Sequence, residues 1–164
     1  VRDVPDFPKP GILFRDITPL LADAEAFRQV IEALAAEIAP HRPEGLVAIE
    51  SRGFVFGAAL AQQMRLPLLL VRKPGKLPWQ TVHVEYQLEY GSDRLEMHRD
   101  AVRPGGRYAL IDDVLATGGT AAAACTLVEQ QAGRLACCAF LLELEALGGR
   151  DRLAGQEIAS LLRY

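Results

Sequence analysis

The chain has 164 residues, half of them hydrophobic, 7% aromatic, and a formal net charge of −3. That length suits one domain, and the apolar share is enough for a packed, mainly aliphatic core rather than a disordered chain. No strongly basic face is evident, which argues against a general nucleic-acid binder, and no apolar run approaches membrane-spanning length. Three cysteines, Cys125, Cys137 and Cys138, do not make a disulfide framework. With no signal peptide opening the chain, the expectation is a reduced, cytoplasmic setting and small, free, buried thiols.

Val1–Thr18 carries Pro5, Pro8, Pro10 and Gly11, so it is expected to run as extended chain and turns. Ala24–Ala39 follows as a helix, with Phe27, Val30, Ile31, Leu34 and Ile38 at helical spacing, Asp23 as cap and Pro40 as stop. A short apolar run, Leu46–Ile49, leads through Glu50-Ser51-Arg52-Gly53 into a helical stretch reaching about Met64. Pro67–Val71 reads as a buried strand.

The alternation continues with strand Arg107–Ile111, helix Thr120–Gln131 and strand Leu135–Leu142. It predicts an α/β fold: a mostly parallel twisted sheet flanked by helices. The tail offers Leu153, Ile158, Leu161 and Leu162 for packing. Residues 72–98 depart from the pattern. A basic, turn-rich loop, Arg72–Pro78, precedes Val82–Tyr90 and Arg94–His98, which flank Gly91-Ser92-Asp93 and are expected to form a hairpin or flap. Residues 1–20 and 72–98 would be hood and flap on one domain spanning 1–164.

The stretch Tyr108 to Thr120 carries the most chemistry. An apolar strand ends in two adjacent carboxylates, Asp112 and Asp113. Val114, Leu115, Ala116, Thr117, Gly118 and Gly119 lead from there into a helix starting near Thr120. Ligands of open α/β sheets bind at the carboxyl ends of strands. Two glycines let backbone N–H groups close around an anion, and a helix start adds unpaired N–H groups and the positive end of its dipole. Thr117 and Thr120 add hydroxyl donors. Neither a nucleotide-triphosphate P-loop nor a G-x-G-x-x-G fingerprint is present. Carboxylates repel phosphate but accept from vicinal hydroxyls, so the segment predicts a pentose phosphate along the loop.

Asp112 to Thr120 resembles the phosphoribosyl pyrophosphate (PRPP) signature of the type I phosphoribosyltransferase superfamily. Four further segments resemble motifs of its adenine phosphoribosyltransferase family: Phe7 to Pro19, Glu50 to Phe54, Arg72 to Pro78, and Leu88-Glu89-Tyr90-Gly91. The resemblance spans nearly the whole chain in collinear order. It implies transfer of the 5-phosphoribosyl group from PRPP to adenine, giving AMP and pyrophosphate, with Mg²⁺ carried on PRPP and no direct protein ligand, in a homodimer.

The resemblance also implies residue roles. Ala116 to Thr120 would hold the phosphate and Asp112 and Asp113 the ribose. Ser51 and Arg52 would form the pyrophosphate loop, with a non-proline cis bond expected at Glu50–Ser51. Arg72, Lys73 and Lys76 would add cations, their loop reaching the neighbouring subunit. Leu13, Phe14 and Arg15 would meet adenine, Glu89 would handle the proton, and Tyr90 would help close the flap. Residue chemistry alone leaves Glu85, four positions before Glu89, as a rival. Alternatives are transfer to another purine, a PRPP-sensing regulator, and an inactive phosphosugar-binding module. His41, His83 and His98 have no metal-ligand spacing.

Overall fold

A computed structural model describes residues 1–87 and 92–164. Strands β1 (Arg2–Pro5) and β2 (Leu13–Asp16) form an antiparallel hairpin, so the proline-rich opening is extended chain and turns as expected. A short helix α1 (Thr18–Ala22), which the sequence pattern did not suggest, leads into α2 (Ala24–Ile38). Asp23 caps α2 by accepting from the Glu25 and Ala26 amides at 3.1 and 3.0 Å. Ile31, Leu34 and Ile38 are buried on one stripe, and Pro40 falls in the tight turn that follows.

Next come β3 (Gly45–Ile49), α3 (Gly53–Met64) and β4 (Leu68–Val71). The expected hairpin is β5 (Thr81–Gln87) against β6 (Ser92–His98). Ser92 and Asp93 belong to β6 and pair with Gln87 and Tyr86, rather than forming the turn. Then follow β7 (Arg107–Leu115), α4 (Gly119–Gln130), β8 (Arg134–Glu143), a one-turn helix α5 (Gly149–Arg152) and β9 (Ile158–Arg163).

The main sheet has the order β4-β3-β7-β8-β9, with every neighbouring pair parallel. Two expectations are corrected. β7 does not stop before its carboxylates: Asp112 pairs with Phe140 and Val114 with Leu142. The carboxylates are therefore held inside a rigid strand. The tail also does more than pack, because Ile158–Arg163 completes the sheet as its fifth strand.

Side chains alternate between the two sheet faces. Leu46, Ala48, Ala109, Ile111 and Leu141 meet α2 and α3 on one side. Val47, Ile49, Val71, Leu110 and Phe140 meet α4 and the β5–β6 hairpin on the other. Both faces are thus covered, which accounts for the unbroken apolar runs. Among the described residues no helix is long and apolar enough to cross a membrane.

Candidate active site

β3 and β7 lie side by side, but the chain leaves β3 toward β4 on one flank and β7 toward β8 on the other. A crevice opens beyond the carboxyl ends of two strands whose connections diverge in this way. Glu50, Ser51 and Arg52 enter it from β3, and Asp112 and Asp113 from β7. Lys73, Tyr86, Ala116 and Thr120 complete a cleft of about 420 Å³. The Glu50–Ser51 peptide is cis, as the resemblance implied.

Asp113 is buried, 4% exposed, and its Oδ2 accepts no well-aligned hydrogen bond among the described residues. Arg52 Nε lies 2.6 Å from that oxygen as an ion-pair partner. The Arg52 guanidinium also sits 5.4 Å from the Phe14 ring centroid, so the hood hairpin reaches the cleft through Phe14. The Asp113 amide donates to Asp112 Oδ1 at 2.9 Å. Burial pushes the Asp112 carboxyl well above the usual carboxylate range, and the Asp113 charge pushes it further. Burial raises Asp113 too, against the opposing charge of Arg52. The two carboxyls therefore hold protons more readily than free aspartates, and Arg52 is the cation that relieves them.

The expected phosphate cradle is a separate small cavity of about 80 Å³ lined by Ala116, Thr117, Gly118, Gly119 and Thr120. Gly118 has φ +79°, a conformation an L side chain rarely adopts, and turns the chain into α4. Among the described residues no side chain caps α4, so its first amides face the cradle.

Tyr86 ties this cradle to the basic loop. Its hydroxyl lies 3.3 Å from Thr120 Oγ1 and donates to Asp93 Oδ2 at 3.2 Å. Asp93 in turn pairs with Lys73. That pairing raises the Lys73 pKa and lowers that of Asp93. Neither Tyr86 nor Asp93 was singled out from sequence. Strand alternation could have placed Tyr86 with Val82 and Val84 on the packed face of β5.

The other basic residues differ from one another. Arg72 Nε donates to Glu50 Oε2 at 2.8 Å and Nη1 to the Lys76 carbonyl at 3.1 Å, so its guanidinium shapes the loop. Lys76 is exposed and does not line the cleft. Leu13 and Arg15 face away from Phe14, as alternation in β2 requires. They line a cavity of about 560 Å³ with Thr117, Leu144, Leu147 and Tyr164. Arg15 pairs with Asp3 and stacks 4.0 Å over the Tyr164 ring. Thr117 touches both this cavity and the cradle, so the apolar slot adjoins the cradle. Leu144 and Tyr164 were not anticipated: β9 places Tyr164, and the bond from the Leu144 amide to the Leu115 carbonyl of β7 places Leu144.

Glu89 and Tyr90 lie outside the described residues. The rival Glu85 is exposed on the outer face of β5, opposite the neighbouring Tyr86, and so does not line the cleft.

A switch-point crevice with an acidic pair and an anion cradle on one strand–loop–helix unit matches a known class. Residues 20–154 match the model of the phosphoribosyl transferase domain, and the chain belongs to that family. Within it, the chain falls among the adenine phosphoribosyltransferases. It is 56% identical to the enzyme of that name from Roseiflexus castenholzii, over all of this chain and 95% of the relative. A solved adenine phosphoribosyltransferase from Thermoanaerobacter pseudethanolicus superposes with a TM-score of 0.98 at 49% identity, covering 100% and 95% of the two chains. The Saccharomyces cerevisiae enzyme superposes with a TM-score of 0.93 at 36% identity, covering 98% and 93%. That structure is a complex with adenine and D-2,5-dideoxy-2,5-imino-altritol 1,6-bisphosphate. All three carry the name adenine phosphoribosyltransferase.

Proposed function

We infer that the chain is a purine-salvage enzyme that transfers the 5-phosphoribosyl group of PRPP to adenine, giving AMP and pyrophosphate. The observation that carries this reading is that Asp112, Asp113, Arg52 and Lys73 line one cleft and that the Ala116–Thr120 cradle adjoins it, sharing Asp112, Ala116 and Thr120. The 5′-phosphate takes the cradle amides and the Thr117 and Thr120 hydroxyls. Asp112 and Asp113 accept from the ribose hydroxyls, and Ser51, Arg52 and Lys73 face the departing pyrophosphate. Arg72 supports the loop that presents Lys73, and Lys76 extends the cationic edge.

Adenine enters the slot beside Thr117, between the β2 segment Leu13–Arg15 and Leu144. Its ring nitrogen forms the bond to the anomeric carbon as the bond to pyrophosphate oxygen breaks. The nitrogen's proton leaves at the same stage, and Glu89 is the residue assigned to exchange it. Tyr90 helps the flap exclude water, which would otherwise capture a ribosyl cation-like transition state. No covalent nucleophile is needed, because positioning and electrostatics lower the barrier.

Mg²⁺ fits beside the acidic pair without a direct protein ligand: Asp113 Oδ2 already pairs with Arg52 Nε at 2.6 Å, which leaves the ion to PRPP oxygens and water. Bound mainly through PRPP oxygens and water, the ion would neutralise the leaving pyrophosphate.

The proposed setting is the cytoplasm and the proposed assembly a homodimer. Free, buried Cys125, Cys137 and Cys138 suit a reducing compartment. Exposed Val55 on α3 and Leu70 on the edge strand β4 offer an apolar surface for a second copy, near the Arg72–Lys76 loop.

The test is pyrophosphate release by the purified chain with PRPP and Mg²⁺, given adenine, hypoxanthine or guanine in turn. Turnover with adenine alone is expected. Turnover with hypoxanthine or guanine and none with adenine would overturn the assignment.

A further inference from the structure

Glu143 closes β8, and its side chain is 4% exposed. Arg150 grips it with two bonds, Nε to Oε1 at 2.7 Å and Nη2 to Oε2 at 2.8 Å. Ser160 of β9 donates to Oε2 at 2.8 Å. Burial pushes this carboxyl up, but the Arg150 and Ser160 hydrogen bonds outweigh it and leave it below the usual range. A bidentate arginine–carboxylate pair fixes direction as well as distance. What it fixes here is the short segment between the two residues.

That segment, Leu144 to Gly149, is folded on itself. The Leu147 amide donates to the Leu144 carbonyl at 3.0 Å and the Gly148 amide to the Glu145 carbonyl at 3.1 Å. It is also tied outward, Leu144 N–H to the Leu115 carbonyl of β7 and Glu145 N–H to the Tyr164 carbonyl, both at 2.9 Å. One side of it, Leu144 and Leu147, walls the apolar slot. The other side, Gly149, lies backbone to backbone against the cradle. A Cβ on Gly149 would stand 2.3 Å from the Ala116 carbonyl oxygen, and one on Gly118 would stand 2.5 Å from the Gly149 carbonyl oxygen.

We propose that Gly149 and Arg150 are positioning residues: the Glu143–Arg150 clamp holds Leu144–Gly149 as one wall shared by the base slot and the phosphate cradle. The shared wall sets the distance between the bound base and the 5′-phosphate, so a disturbance at Gly149 or Arg150 reaches both. This rests on the phosphoribosyl-transfer reading.

The test compares Gly149→Ala with Gly148→Ala, and uses Arg150→Lys as a second probe. Ribose 5-phosphate binding is measured by calorimetry, and KM and kcat with adenine and PRPP. Gly149 has an ordinary φ, so its new methyl acts through contact with Ala116 and Leu115. Gly148 has φ +63°, and its Cβ would meet nothing closer than Asp151 Oδ2 at 3.4 Å, so alanine there strains the backbone without touching the cradle. Gly149→Ala is expected to weaken ribose 5-phosphate binding by about tenfold or more, with kcat changed by less than about threefold. Gly148→Ala is expected to lower the melting temperature and leave that binding within about twofold. Arg150→Lys keeps the charge but loses the fork, and is expected to raise both KM values by roughly fivefold with kcat little changed.

Equal binding by the parent and Gly149→Ala overturns the proposal, as does an equal loss in Gly148→Ala. Should Gly149→Ala not fold, unchanged KM values in Arg150→Lys overturn it. A parent chain that binds no ribose 5-phosphate refutes the transfer reading itself, and the proposal with it.

Discussion

Replacing Asp112 by asparagine should move stability and substrate affinity in opposite directions. Burial, and then the charge of Asp113, raise the Asp112 carboxyl in the folded chain. A carboxyl raised on folding binds its proton more tightly in the folded than in the unfolded state. Stability therefore falls as pH rises from the ordinary aspartate value of about 3.8 through the raised one, and stays reduced at neutral pH. Asparagine keeps an Oδ1 to accept from the Asp113 amide and removes the charge. A gain of about 1 kcal/mol would raise the melting temperature of a chain this long by roughly 2–4 °C. The ribose hydroxyl, meanwhile, exchanges a charged acceptor for a neutral one. Hydrogen bonds to charged groups contribute about 1.5–3 kcal/mol against about 0.5–1.5 for neutral ones, a loss of roughly five- to tenfold in PRPP affinity. Thermal melts of parent and variant across pH 4 to 8 and calorimetric titration with Mg²⁺–PRPP read both quantities, the pH limits being approximate. The stability gap should open as pH rises. A variant less stable than the parent at neutral pH, with unchanged PRPP affinity, would refute the reasoning.

Three further outcomes are expected. Tyr86→Phe removes the hydroxyl shared with Thr120 and Asp93, and should raise KM for PRPP by about three- to tenfold; an unchanged KM would remove Tyr86 from the site. Glu89→Gln should lower kcat by about a hundredfold or more while PRPP still binds, and near-normal turnover would end its assignment as proton handler. Gly57→Ala reverses the usual helix preference. Alanine ordinarily favours a helix by about 1 kcal/mol over glycine, yet a Cβ on Gly57 would lie 2.6 Å from the Ala48 Cβ. Chemical denaturation should therefore show a loss of about 1–3 kcal/mol, and a gain would mean α3 can lift off β3 freely.

Much of this molecule is legible in one dimension because its main devices are local. A phosphate cradle is built from consecutive backbone amides, so Ala116 to Thr120 must be contiguous, and the acidic pair is joined to them by two residues. Strands covered on both faces leave apolar runs, and α2 writes its buried stripe and its Asp23 cap directly into the chain. The limits were equally physical. Carboxylates look like the end of an apolar strand, yet β7 continues through them because a partner strand, β8, supplies the pairing. β9 carries too little pattern to stand alone and exists because β8 offers an edge.

What tertiary structure decided is which distant residues share the site. Tyr86 meets Thr120 because the β5–β6 hairpin packs on α4, and Lys73 meets Asp93 because the neighbouring Arg72 bridges to Glu96 of β6. Arg52 reaches Asp113 because β3 and β7 are neighbours with diverging connections. Leu144, Gly149 and Tyr164 reach the cradle and the slot through backbone contacts that no local pattern encodes. Sequence alone determined the parts of the proposed ribose phosphate grip, since its amides and carboxylates are contiguous in the chain. The distance from that grip to the base slot was decided by packing, since it depends on where β8, β9 and their loop come to rest.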